Sequence, residues 1–237
     1  SGTDTIDKTA AAARGIEVVA AAGANAAAVA EQALALMLAC AKSVVPLNAR
    51  VHAGQWDKAT HKGVELGSRT VGLLGLGAIG RRFAASVQVL GMRVLAYDPY
   101  AQEAPEGVTL VPLATLWRES DVLSLHCPLT DENRELIDAE VLAQCKRGVI
   151  LVNTARGGLI DEAALLQAVR SGQVMAAGLD SFAVEPIAPD HPFLGEPGFV
   201  LSPHIGGVTG DAYVNMGVAA ARNLLDVLAR QPSPQSA

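Results

Sequence analysis

The run Thr70-Val-Gly-Leu-Leu-Gly-Leu-Gly-Ala-Ile-Gly80 constrains the fold of this chain more than any other stretch. A short apolar segment leads into glycines at Gly75, Gly77 and Gly80, and the helix-like Arg81-Arg-Phe-Ala-Ala-Ser-Val-Gln-Val-Leu90 follows. The order is strand, tight turn, helix. Gly75 allows the turn, Gly77 lets a pyrophosphate approach the backbone, and Gly80 lets the helix pack closely on the strand. The free N–H groups and dipole of the helix N-terminus favour an anion. Glycine-rich turns after strands are common, so the motif gains its force from what comes next. A second apolar run, Met92-Arg-Val-Leu-Ala-Tyr97, ends in Asp98, 18 positions after Gly80. That is close to the spacing expected of the carboxylate that binds an adenosine ribose. An acid there accepts hydrogen bonds from the 2′- and 3′-hydroxyls and repels a 2′-phosphate, which predicts NAD over NADP.

The chain of 237 residues is long enough for one good core, or for one large domain plus pieces of another. With 50% hydrophobic and 18% charged residues it reads as folded and not disordered. A net charge of −6 argues against nucleic acid and anionic membrane surfaces as partners. Cys40, Cys127 and Cys145 are odd in number and widely spaced, which fits reduced thiols in a cytoplasmic protein; no metal site is expected. The apolar stretch from Ala26 to Ala41 is interrupted by Glu31 and Gln32 and is too short to span a bilayer. No signal peptide is evident, and the chain starts at Ser1 without a methionine, so its natural N-terminus is expected to lie elsewhere.

Residues 1–7 read as a turn, Asp7 to Arg14 as a short helix ended by Gly15, and Ile16 to Ala20 as a strand. Asn25 can cap a following helix in which Val29, Ala33, Leu36, Met37 and Cys40 share one face. That helix is apolar nearly all round, so it is either an internal core helix or part of a subunit interface. The interface would continue through the arm from Leu47 to Trp56, whose indole is hard to cover within one small domain. A homodimer through residues 28–56 is the resulting expectation.

Beyond the dinucleotide turn, strands are expected at 108–110, 122–126, 149–153, 174–179 and 199–201. Helices are expected from Pro112 to Trp117, from Asp131 to Gln144 in two pieces, and from Asp161 to Ser171. This alternation predicts an α/β fold: a Rossmann-type, doubly wound parallel sheet that places ligands at the carboxyl ends of its strands. Thr209 to Arg230 reads as a final amphipathic helix with apolar Val214, Val218, Ala221 and Leu225, and 231–237 as a frayed tail.

The segments that follow the last strands therefore carry the chemistry. Three side chains stand out there: Arg156, Glu185 and His204. An arginine fork binds a carboxylate through two parallel charge-assisted hydrogen bonds. A histidine moves protons near neutral pH, and a neighbouring carboxylate favours its imidazolium form. Together they suit a 2-keto acid. Taken singly each has a plainer explanation, as a carbonyl cap, a loop acid and a structural histidine.

Asn153-Thr-Ala-Arg156-Gly-Gly158, Gly178-Leu-Asp180-Ser-Phe-Ala-Val-Glu185-Pro186 and Ser202-Pro-His204-Ile-Gly-Gly207, following the glycine turn in order, resemble the signatures of the D-2-hydroxyacid dehydrogenase family. The resemblance runs from Ser1 to about Arg230. It implies an NAD-dependent oxidoreductase acting on a small 2-hydroxy or 2-keto acid. Arg156 would hold the substrate, His204 would be general acid in reduction and base in oxidation, and Glu185 would position and charge His204. The resemblance further implies pyrophosphate contacts from Ala78 and Ile79, ribose contacts from Asp98 and carboxamide contacts from Asp180. Cys127 and Pro128 would lie by the adenosine, Thr154 and Ala155 beside the cofactor, and Gly206 and Gly207 near the nicotinamide. Ala78 stands where arginine is common, which matters little if the contact is its backbone N–H.

In the same terms Ser1 and Gly2 resemble the end of a loop that helps hold the substrate carboxylate. Residues 1–22 would be the remnant of a flavodoxin-like substrate domain, 23–207 the NAD-binding domain, and 208–230 a helix returning to the substrate domain. The chain as given would then bind NAD and catalyse poorly. Residues 143–149, Leu116-Trp117 and Gly54-Gln-Trp56 look closest to D-3-phosphoglycerate dehydrogenases, with hydroxypyruvate or glyoxylate reductases next. The alternative from another class is a non-enzymatic NAD(H)-sensing co-repressor of the same fold, which would carry the same three residues.

Overall fold

The computed structural model describes residues 2–3 and 6–230; the contact expected of Ser1, part of the N-terminal turn, and the tail at 231–237 lie outside them. The first elements are α1 (Lys8–Ala13), α2 (Ala26–Lys42), α3 (Val44–His52), β1 (Thr70–Leu74), α4 (Ala78–Val89), β2 (Arg93–Tyr97) and β3 (Val108–Leu110). There follow α5 (Leu113–Glu119), β4 (Val122–Leu125), α6 (Ala139–Gln144), β5 (Val149–Asn153), α7 (Glu162–Arg170), β6 (Val174–Leu179), β7 (Phe199–Leu201) and α8 (Gly210–Arg230). By their contacts they form two units, one of residues 1–28 and 207–237 and the other of 29–206.

The larger unit is built on a seven-stranded sheet in the order β3-β2-β1-β4-β5-β6-β7, with every neighbouring pair parallel. This is the doubly wound fold that the sequence predicts. The strand order reverses between β1 and β4, which leaves a crevice at their carboxyl ends. β1, β4 and β5 are buried along their whole length, because near-continuous apolar runs such as Val149-Ile-Leu-Val152 have helices over both faces. Successive side chains feed opposite cores. Leu123, Leu125 and Leu151 join Trp117, Leu142 and Leu165 on one side, while Val71, Leu73, Ile150 and Val152 join Met37, Phe83 and Val87 on the other.

The face of α2 that the spacing picks out is buried, so α2 is a core helix. Gly178 makes room for it: a Cβ there would stand 2.8 Å from Leu36 Cβ. The arm is helical in α3, and a bidentate Arg50–Asp57 ion pair closes the turn after it. Val44, Val45 and Val51 are exposed, and Trp56 is 78% exposed. Among the described residues no single helix is long and apolar enough to cross a membrane.

In the smaller unit Asp7 caps α1 by accepting the Ala10 N–H at 2.8 Å, and Gly15 follows at φ +66°. Residues 16–20 form no strand, and the described residues of this unit offer no second strand to pair with. Asn223 instead donates to the Ala20 carbonyl at 2.8 Å. α8 buries Ala212 and Val227, whereas the apolar row at Val214, Val218, Ala221 and Leu225 faces outward. A further correction falls in the larger unit. The first half of the expected 131–144 helix is a turn, pinned by the Thr130 N–H on Asn133 Oδ1 (2.7 Å) and carrying Glu135 at φ +52°.

Candidate active site

The glycine turn joins β1 to α4. Gly75 has φ +100°, and a Cβ there would stand 2.8 Å from the Cys127 nitrogen and the His126 carbonyl. A Cβ on Gly80 would stand 2.3 Å from the Gly75 oxygen, so any side chain would force α4 off the turn. Gly77, which caps α4, would meet nothing within 4 Å. The turn is thus closed on its inner side and open where an anion would approach the first N–H groups of α4, those of Ala78 and Ile79. Asp98 lies beside it at the end of β2. Its Oδ2 accepts the Leu76 N–H at 2.7 Å and its Oδ1 accepts that of Tyr100 at 2.9 Å. Each oxygen keeps further acceptor capacity.

His126 backs the turn and is a residue that sequence reasoning missed. Its Nε2 is 2.9 Å from Ser124 Oγ and its ring centroid 5.1 Å from that of Phe83. Burial pulls its pKa from 6.5 down to about 3, so the ring is neutral at physiological pH. The only signal available was a histidine closing the apolar run Val122–Leu125. Cys127 follows, its thiol pushed up to about 11 mainly by burial, and Asn133 Nδ2 holds the Pro128 carbonyl at 2.8 Å. Both lie at the end of β4, beside β1, on the crevice side.

The side chains singled out from sequence come from the next three strand ends. After β5, buried Asn153 folds the chain around itself: its Oδ1 accepts the Ala155 N–H at 2.9 Å and its Nδ2 donates to the Arg156 carbonyl at 2.9 Å. Arg156 leads into a 3₁₀ turn at Gly157–Leu159, with Nη1 on the Ala155 carbonyl at 2.7 Å. Thr154 is buried with its hydroxyl unpartnered.

After β6, Asp180 is 1% exposed and works within the fold. Its carboxylate accepts the Ser202 hydroxyl at 2.5 Å, the Ile205 N–H at 2.9 Å and the Gly206 N–H at 2.7 Å. Those three donors bracket His204, which has φ +55°, an uncommon conformation for a residue with a side chain. Oδ2, with one donor recorded, keeps acceptor capacity for a further N–H.

Glu185 completes the constellation. Its Oε1 accepts the Phe182 N–H at 2.8 Å, and its Oε2 accepts from His204 Nδ1 at 2.6 Å. A carboxylate can only accept, so the proton of that bond sits on Nδ1 and Nε2 is the ring nitrogen left for chemistry. A hollow of about 600 Å³ lies against the pair, walled by Phe182, Ile187, Leu194 and Leu201.

The loops of Arg156 and Glu185 touch directly. A Cβ on Gly157 would lie 1.8 Å from the Phe182 carbonyl carbon and 2.3 Å from the Ala183 nitrogen. Gly206 is packed under Asp180 in the larger unit, whereas Gly2 and Gly207 belong to the smaller one, where Gly207 lies against Asn25.

Residues 34–206 match the family model described as D-isomer specific 2-hydroxyacid dehydrogenase, NAD binding domain. A hydroxypyruvate reductase of Thermotoga maritima is 44% identical over 96% of this chain and 75% of its own length. A D-3-phosphoglycerate dehydrogenase of Archaeoglobus fulgidus is 43% identical over 95% of this chain, which spans 44% of that protein. Among solved structures, a glyoxylate reductase from Paecilomyes thermophila superposes with a TM-score of 0.87 at 34% identity, covering 97% of this chain and 70% of that one. The glycine turn, its acid and the three strand-end loops all fall within the matched region, and the chain belongs to the D-isomer specific 2-hydroxyacid dehydrogenase family, of which it carries the NAD-binding domain.

Proposed function

We propose that this chain is the cofactor half of an enzyme that interconverts a small D-2-hydroxy acid and its 2-keto acid, with 3-phosphoglycerate, hydroxypyruvate or glyoxylate as the substrate class. The observation that carries this is the 2.6 Å His204–Glu185 pair, set at the same sheet edge as the glycine turn. The residues present suit NAD. Gly77 leaves open space before the α4 N-terminus, and the Thr154 hydroxyl is a buried polar group without a protein partner. Bound NAD supplies the hydride acceptor or donor.

The chain's own residues do the rest. Arg156 grips the substrate carboxylate through its fork. His204 Nε2 gives a proton to the carbonyl oxygen in reduction and takes it back in oxidation, while Glu185 fixes the tautomer and steadies the imidazolium. Ala78 and Ile79 offer N–H groups to the pyrophosphate, and Asp98 accepts from the ribose. Cys127 and Pro128 flank the adenosine, and Thr154, Ala155, Asp180 and Gly206 line the nicotinamide end. Because a 2′-phosphate beside Asp98 would meet a carboxylate, NADH should bind about 10- to 100-fold more tightly than NADPH. Fluorescence titration checks this, and equal affinities would remove Asp98 from cofactor selection.

The smaller unit reads as the closing part of a flavodoxin-like substrate domain. Of the helix and arm at 28–56, read as a homodimer contact, the part after the buried helix supports it with exposed Val44, Val45, Val51 and Trp56 on one short segment. Sedimentation should give a dimer that Trp56→Glu dissociates; a wild-type monomer at micromolar concentration would refute it. Free thiols at Cys40, Cys127 and Cys145 suit a cytoplasmic location.

A further inference from the structure

We infer that Glu162 is a positioning residue for the Glu185–His204 pair, acting through the peptide between Phe182 and Ala183; this rests on the acid–base reading of His204 given above. Glu162 opens α7. Its Oε1 accepts the Ala183 N–H at 2.9 Å, and its Oε2 faces His191 Nε2 at 3.4 Å. His191 Nδ1 accepts the Phe193 N–H at 3.3 Å, so the ring's proton sits on Nε2 and points at Glu162. Phe193 and Phe182 pack edge-on to the His191 ring, at 4.8 and 6.2 Å between centroids. The carboxylate is therefore aimed from behind.

What it holds is the peptide on which the site turns. The N–H one residue earlier, that of Phe182, is the one that Glu185 Oε1 accepts, and the other oxygen of Glu185 holds His204. Gly157, next to Arg156, is pressed against the same peptide. A displacement of that peptide by about an ångström would move Glu185 and release the Arg156 turn together, and misplacements of that size cost up to about 100-fold in rate.

The ordinary duty of an acid at this position is to stabilise the helix N-terminus. α7 already has its cap, because Asp161 Oδ1 accepts the N–H groups of Ala163 and Ala164 at 2.9 and 3.0 Å. Both oxygens of Glu162 face the 182–193 loop instead.

The test uses the complete gene product, NADH and hydroxypyruvate, with four variants: Glu162→Ala, Glu162→Asp, Glu162→Gln and Glu185→Ala, plus the Glu162→Ala/Glu185→Ala double variant. Glu162→Ala should lower kcat about 10- to 100-fold with NADH affinity unchanged. Glu162→Asp keeps the charge on α7 but is one methylene too short to reach Ala183, so it should lose as much, and it stands in if the Ala variant fails to fold. Glu162→Gln retains an acceptor for the Ala183 N–H and should recover most of the rate. In the Glu185→Ala background, Glu162→Ala should add less than about twofold. Wild-type kcat in Glu162→Asp, or a full multiplicative loss in the double variant, would overturn the inference. Wild-type kcat in Glu185→Ala would instead bring down the acid–base reading on which it stands.

Discussion

Replacing His204 by Ala is expected to lower turnover of a 2-keto acid by about 10²- to 10⁴-fold while leaving NADH affinity within about twofold, because it removes proton transfer and little else. The structure prepares this one side chain in several ways. Its backbone sits at φ +55°, a conformation that costs a non-glycine residue about 1–3 kcal/mol and survives only where the surroundings impose it. Asp180 imposes it, by taking the Ser202 hydroxyl and the N–H groups of Ile205 and Gly206. Glu185 then fixes the tautomer at 2.6 Å. With His204 gone, Glu185 keeps its Phe182 N–H and about a third of its side-chain surface in solvent, so it has little reason to disturb the fold. Steady-state rates with NADH titrations in parallel check the expectation. A variant turning over at the wild-type rate would mean that another group moves the proton.

Gly157→Ala is expected to damage both stability and rate, although position 157 carries no chemistry. The new methyl would lie 1.8 Å from the Phe182 carbonyl carbon and 2.2 Å from its oxygen. Both belong to backbone, so no flexible side chain can give way. The loops carrying Arg156 and Glu185 must part by more than about an ångström. Overpacking of this kind costs about 1–3 kcal/mol, or roughly 2–4 °C in Tm per kcal/mol for a chain of this size. The displaced arginine and glutamate should cost a further rate factor of about 100. Gly217, on α8, is the matched control, since a Cβ there meets nothing within 4 Å. Gly217→Ala should leave the Tm unchanged or raise it slightly. Thermal melts and kinetics of the pair decide the matter, and a Gly157→Ala protein as stable and active as the control would show that the two loops are not in register as described.

Local pattern made much of this legible. The glycine turn and Asp98 depend on spacing along the chain, and the β-α alternation follows from apolar runs that helices cover on both faces. Arg156, Glu185 and His204 stood out because they follow consecutive strands of a parallel sheet, which brings such positions to one edge. What escaped depends on approach between distant segments. Nothing local says that Gly157 abuts Phe182, that Asp180 secures the turn of His204, or that Asn153 bonds both sides of its own turn.

The strand expected at 16–20 is missing for a related reason. Residues 16–20 have strand-like composition but no partner strand among the described residues of their unit, and a strand needs a partner to pair with. The final helix, by contrast, forms over Gly210–Arg230 much as its period predicts, with Val214, Val218 and Leu225 exposed.

The most direct measurement is NADH oxidation by the complete gene product, with hydroxypyruvate, glyoxylate and phosphohydroxypyruvate compared side by side. Turnover with at least one of them, falling by about 10² or more in the His204→Ala variant, is the predicted result. Tight NADH binding with no turnover of any 2-keto acid would contradict it.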